Sequence, residues 1–317
     1  GMFVIESAIY KAANELGINP SEIQRKNLLR EGNEFPYGQK ALNCNIGKCL
    51  DGVEERYKPK EFFERINEFN EKNKLVKKGA AIMPVTFGIS FTTTFLNQAS
   101  ALLHIYTDGS VSISTAAIEM GQGVNEKLRM IAANEFSINI ERIRIESTNT
   151  SRVSNTSATA ASKGTDLNGF AVIDACKILI DRLKKVAADE LKLSEPSKIA
   201  IKDEIIFYNN NKTDLTFAKL VNTAYQKRIS LTTQAHHSTP NIYFNTKTNK
   251  GEPFAYHSYG AAVVEVTLDC LRGIYEVDSV KVVHDFGDTI NRTIDLGQAE
   301  GGIVQGIGWM TMEELIW

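Results

Sequence analysis

Apolar positions in the first part of the chain recur at helical spacing. Between residues 2 and 16, Ile5, Ile9, Ala12, Ala13 and Leu16 follow a 3.6-type period, and Gly17 stands where a left-handed residue ends a helix. Asn19-Pro20-Ser21-Glu22 then combines an N-cap, a proline at the first helical position and an acid at the third. A loop rich in Gly, Asn and Pro is expected over 31–59. A charged helix carrying Phe62, Phe63, Ile66 and Phe69 follows, ending in the basic stretch from Lys72 to Lys78. The pattern predicts a mainly helical N-terminal segment over 1–77.

From Lys78 the texture turns to strands, and 78–317 reads as an α+β region. Runs at 102–107 and 110–118 flank Asp108-Gly109, a strong hairpin signal. An amphipathic helix runs from Val124 to about Phe136, with Leu128, Ile131 and Ala132 on one face. Beyond it the pattern gives a short strand at 140–146 and a long helix at 166–191. Strands at 198–209 and 230–236 enclose a helix near 215–226. A hairpin pairs 261–268 with 274–284, and a glycine-rich helix over 295–315 closes the chain.

Three strand–loop–helix units offer unusual helix starts. In Glu119-Met120-Gly121-Gln122-Gly123, two glycines let backbone approach a ligand closely, and a helix N-terminus with free N–H groups follows. A tight turn that binds nothing explains the same residues. The run from Asn155 to Asp166 has no large apolar side chain, so it suits contact with a flat polar ligand; the alternative is a Ser/Thr linker. Asp295 to Gly302, continuing to Gly308, places glycines where each costs a helix about 1 kcal/mol, so close packing against a backbone or a ligand is expected. Glu119 and Glu300 stand beside two of these turns, and helix-terminal carboxylates by default serve the dipole or the cap.

Composition changes this picture little. The chain of 317 residues has a net charge of −2 and 43% apolar residues, which argues against a nucleic-acid coat or an anionic-membrane binder. No signal-peptide pattern or run of 18 apolar residues is present, and a cytoplasmic location is expected. Cys44, Cys49, Cys176 and Cys270 lack C-x-x-C spacing, and the five histidines lack ligand spacing. His236 and His237, adjacent in a strand, would point to opposite faces. Nucleophile-elbow, Walker and Rossmann signatures are absent in the right context.

The motifs taken together carry a resemblance. Phe87-Gly88-Ile89-Ser90-Phe91-Thr92, Phe95-Leu96-Asn97-Gln98, Tyr106 to Ser110, Glu119 to Gly123, Asn155 to Ser162, Asp166 to Gly169, Tyr259-Gly260 and Asp295 to Gly308 occur in one order over nearly the whole chain. That ordered set resembles the molybdenum-cofactor-binding part of xanthine dehydrogenase and its molybdenum hydroxylase relatives. The resemblance implies an α+β fold of the molybdenum-cofactor-binding-domain type, with mixed and antiparallel sheets flanked by helices, of which this chain holds mainly the second lobe.

It also implies roles. Gly121, Gln122 and Gly123 match the family's pterin-binding turn. Thr159, Ala160 and Ala161 match its T-A-A segment, with Ala161 nearest the molybdenum and no direct side-chain ligand to the metal. Ser162 and Gln298 match cofactor contacts, and Gly164 offers an N–H to a phosphate. Lys163-Gly164 departs from the apolar–serine pair of the animal enzymes; Lys163 adds a charge there or points to solvent. Phe91 and Thr92 match residues facing a purine substrate, which favours xanthine dehydrogenase over aldehyde- or N-heterocycle-oxidising relatives. A non-catalytic cofactor-binding module is the alternative from another class.

By the same resemblance the catalytic glutamate lies downstream of Trp317, so this polypeptide alone is expected to be inactive. Iron–sulfur clusters and FAD are expected on other segments or subunits, in a homo-oligomeric whole enzyme with no nucleic-acid or membrane partner.

Overall fold

The computed structural model describes residues 1–146, 148–153 and 155–316. Trp317 lies outside the described residues. In chain order, α1 (Met2–Leu16), α2 (Pro20–Lys26), α3 (Ile46–Tyr57) and α4 (Pro59–Lys72) precede the long strand β1 (Val76–Ile89). Then come β2 (Gln98–Ile105), β3 (Val111–Thr115), α5 (Val124–Phe136), β4 (Ile143–Ile145) and α6 (Gly164–Glu190). Strands β5 (Ile199–Lys202), β6 (Ile205–Tyr208) and β7 (Asn211–Thr216) lead to α7 (Phe217–Gln226) and β8 (Thr232–Ser238). The chain ends with β9 (Tyr243–Asn245), β10 (Lys250–Glu252), β11 (Tyr256–Asp269), β12 (Ile274–Asp285) and α8 (Arg292–Thr311).

Two compact units share these elements: residues 1–89, 244–288 and 302–317 in one, 90–243 and 289–301 in the other. In the first, β1, β11 and β12 form an antiparallel sheet in that order. Its core joins Leu50 and Val53 of α3 and Phe62 and Ile66 of α4 to Ile82, Tyr259 and Val263 of the sheet. The N-terminal helices therefore share a core with strands from both sides of the other unit's sequence. The capping box of α2 forms as read, with Asn19 Oδ1 accepting from Ser21 N at 2.9 Å and Glu22 Oε1 from Asn19 N at 3.3 Å.

The expected loop over 31–59 is overturned in its second half, where α3 stands. Ile46, Cys49, Leu50 and Val53 have helical spacing and are buried, but Asn45 makes no side-chain cap and Gly47 and Gly52 interrupt the propensity. Gly52 has a packing reason: a Cβ there would stand 3.3 Å from Val283.

The second unit is a sheet of order β4-β3-β2-β8, with β3 and β4 parallel and the other pairs antiparallel. Helices α5, α6 and α7 pack on it. Val124, Leu128, Ala132 and Phe136 give α5 one buried stripe, and Ala171, Ala175, Leu179 and Leu183 give α6 another. A small antiparallel sheet, β5-β6-β7, adjoins them. The single strand read at 198–209 is two, because Asp203 and Glu204 take φ of 47° and 64°, the turn that reverses a hairpin after four residues.

Candidate functional site

The sequence-selected residues Phe91, Thr92, Gly121, Gln122, Gly123, Thr159, Ala160, Ala161, Ser162, Gly164 and Gln298 all fall in the second unit. Its geometry joins the three strand–loop–helix starts around the 118–123 loop. On one side, Thr159 Oγ1 accepts from Ile118 N at 3.0 Å, and Thr148 Oγ1 donates to Ala117 O at 2.8 Å. On the other, a Cβ at Gly123 would stand 2.8 Å from the Ile294 side chain, next to the start of α8. With φ of 75° besides, that position admits only glycine without strain.

Glu119 organises the loop. Its Oε1 accepts from Gly121 N and Gly123 N at 2.9 Å each, and its Oε2 from Asn125 N at 3.0 Å. The carboxylate thus takes donors that the sequence reading leaves to a ligand at the start of α5. Burial alone would raise the Glu119 carboxyl, but the N–H groups of Asn125, Gly123 and Gly121 outweigh it and hold the group below the usual glutamate value. Gln122 also folds back: its Oε1 accepts from Met120 N at 2.6 Å and its Nε2 donates to Ile118 O at 2.8 Å.

Across from this loop, α6 begins differently. Its N-cap residue, Lys163, makes no side-chain cap bond, and just ahead of it Ala161 and Ser162 hold φ of 55° and 54°. Two successive non-glycine residues in the left-handed region are strained, a feature that concentrates where backbone is shaped for a ligand. Ala160 and Ser162 are exposed, and a Cβ at Gly164 would touch Thr159 at 3.4 Å. Lys163 does not point to solvent, the second of the two courses foreseen. Its side chain is 4% exposed and pairs with Asp166 at 3.1 Å, so its charge sits at the helix start without facing bulk solvent.

One turn into α6, Gly169 lets the helix lie against α5; a Cβ there would come 3.0 Å from Ile131. Phe170 stacks on the His237 ring with centroids 4.8 Å apart, and Asp174 Oδ2 is 3.7 Å from His237 Nδ1. Burial holds the His237 ring below its ordinary value in spite of Asp174. His236 turns instead to Ser100 at 3.1 Å, so the two rings occupy opposite strand faces.

The start of α8 is anchored by Asp295, which pairs with Lys127 of α5 at 2.7 Å and accepts from the Thr289 hydroxyl. Burial alone would raise this carboxyl; Lys127 and Thr289 hold it below the ordinary value. Gln298 lies one turn on and is exposed. The glycines of this helix are expected to pack against a backbone or a ligand; among the described residues, nothing outside the helix itself lies within 4 Å of a Cβ built on Gly297 or Gly301 within their unit, nor on Gly302 or Gly306 within theirs. These positions leave a smooth, open helix surface. Phe91 and Thr92 form the turn after β1, the ring partly exposed and the hydroxyl exposed. Among the described residues, no cluster of His, Cys, Asp and Glu is able to hold a metal ion, and no helix is long and apolar enough to cross a membrane.

Residues 52–317 match the family model for the molybdopterin cofactor-binding domain. Over its full length the chain is 39% identical to a xanthine dehydrogenase of Oryza sativa subsp. japonica, and over 99% of its length 38% identical to a xanthine dehydrogenase/oxidase of Gallus gallus. It spans 22% of the length of each of these relatives. Among solved structures, quinoline 2-oxidoreductase from Pseudomonas putida 86 aligns over 100% of this chain and 41% of its own, with a TM-score of 0.82 at 24% identity, a likeness of fold.

Proposed function

The chain belongs to the molybdopterin cofactor-binding domain family, and on that premise we propose that it is the molybdopterin-binding portion of a xanthine dehydrogenase that hydroxylates purines. The observation that carries this reading is the likeness to xanthine dehydrogenases along the whole chain, 39% identical over 316 residues in the rice relative. The reading includes the cytoplasm as location, partner segments or subunits with iron–sulfur clusters and FAD, and a homo-oligomeric whole enzyme.

The residues around the start of α6 fit such a cofactor. Small exposed side chains at Ala160 and Ser162, a strained left-handed pair and a long helix whose N-cap residue makes no side-chain cap bond form a surface that backbone donors and a phosphate share. In this reading Gly164 gives its N–H to the phosphate, with the buried Lys163 charge nearby. Thr159 to Ser162 line the flat face of the pterin, and Gln298 meets it from α8. Gln122 releases one of its two loop contacts to reach it, while Glu119 keeps Gly121 and Gly123 in place. The molybdenum cofactor, when bound, would supply the redox-active metal and, in its pterin, the sulfur atoms that hold it. The substrate lies against Phe91, whose ring stacks on a purine, and the Thr92 hydroxyl takes a hydrogen bond at its edge.

Difference spectra of the natural protein, loaded with cofactor, test the substrate. Xanthine should reduce it and an aromatic aldehyde should not; the reverse result would move the chain to the aldehyde-oxidising branch.

A further inference from the structure

The turn that carries Phe91 and Thr92 is held by a residue to which the functional reading gives no role. Asn97 is 2% exposed, and its amide bonds the backbone of this turn three times. Its Oδ1 accepts from Phe91 N at 2.9 Å, and its Nδ2 donates to Phe91 O at 2.8 Å and to Thr94 O at 3.1 Å. The Asn97 carbonyl accepts from Thr239 N at 3.0 Å, just beyond β8. Gln98 adds a donation from Nε2 to Phe95 O at 2.7 Å.

A primary amide that takes both the N–H and the C=O of one residue does the work of a neighbouring strand. It fixes φ and ψ of Phe91, and with them the direction of its Cα–Cβ bond. Phe91 lies outside every helix and strand, so the clamp stands in for the ladder that would otherwise hold it. The chemistry needs a donor and an acceptor on one planar group. Aspartate only accepts when ionised, and would set its carboxylate against the Phe91 and Thr94 carbonyl oxygens.

We propose that Asn97 is a positioning residue for substrate: it sets the angle at which the Phe91 ring and the Thr92 hydroxyl meet a flat heteroaromatic molecule. This rests on the reading of Phe91 and Thr92 as substrate-facing.

The test uses the natural protein that carries this sequence, loaded with molybdopterin, with xanthine as the probe. Asn97→Asp, Phe91→Ala and the double variant are compared with the unmodified protein. Asn97→Asp should raise KM about tenfold while kcat changes less than about twofold, with molybdenum content retained even though the buried carboxylate lowers the melting temperature. Phe91→Ala should raise KM as well, and the double variant should be no worse than Phe91→Ala, because Asn97 acts through that ring. An unchanged KM in Asn97→Asp, or an effect that adds fully to Phe91→Ala, overturns the positioning role and leaves Phe91 as a substrate contact. No xanthine turnover by the unmodified protein, or an unchanged KM in Phe91→Ala, defeats the functional reading and the inference with it. If Asn97→Asp does not fold, hydrogen exchange on the unmodified protein decides. The Phe91 amide should exchange about 100-fold more slowly than those of Thr92 and Thr93, and equal rates overturn the proposal.

Discussion

Replacing Glu119 with glutamine tests whether the 119–123 loop is held by charge. The wild-type carboxylate accepts three N–H bonds, at 2.9, 2.9 and 3.0 Å, from the residues that lead into α5. Glutamine keeps one acceptor oxygen and the length, loses the charge and turns an NH2 group towards donors that have no use for it. Charge-assisted bonds are worth about 1 kcal/mol more than neutral ones, and the favourable end of the helix dipole adds a few tenths; solvent exposure trims both. The expected loss is therefore about 1–2 kcal/mol at pH 7, or roughly 3–6 °C in the melting temperature of a unit this size. The carboxyl titrates below its ordinary value in the folded chain. Its contribution is thus complete above the unfolded glutamate pKa and lost as pH falls through the folded one. Urea unfolding of both proteins at falling pH from 7 should show the gap narrowing on acidification. Equal stability at pH 7, or a gap that does not narrow as pH falls, would refute the charge-held loop.

Lys127→Met should leave Asp295 without its charged partner, in a pair whose side chains are only 15% and 14% exposed, with the Thr289 hydroxyl still bonded to it. A loss of about 2 kcal/mol is expected by urea unfolding, with faster amide exchange over 292–298. Gly169→Val should push against Ile131 and cost about 2 kcal/mol through overpacking between α5 and α6, read from the melting temperature. Lys163→Met should lower retention of molybdopterin through a dialysis series more than it lowers the melting temperature; equal retention would remove the lysine from the cofactor reading.

Much of the fold is legible in the periods of apolar residues. The stripe Val124, Leu128, Ala132, Phe136 is uninterrupted and ends at a left-handed Ser137, so α5 stands where it is read. α3 is hidden because Gly47 and Gly52 weaken local propensity, and tertiary packing of Leu50 and Val53 overrides it. β7 carries no hydrophobic period at all; it exists because Asn209 and Asn210, with φ of 49° and 65°, turn the chain back onto β6. At the site, small-residue runs mark the loops, and the default reading of Glu119 as a structural carboxylate agrees with its three backbone bonds. Two features leave no one-dimensional signal. The burial of Lys163 depends on what packs around the start of α6, and the Asn97 clamp depends on a turn folding back six residues onto a side chain.

Molybdenum content combined with xanthine reduction tests the central claim most directly. The natural protein, purified without added cofactor, should carry molybdenum in proportion to chain and bleach when xanthine is added anaerobically. Protein without molybdenum or pterin, or a loaded protein that xanthine does not reduce, would contradict the account.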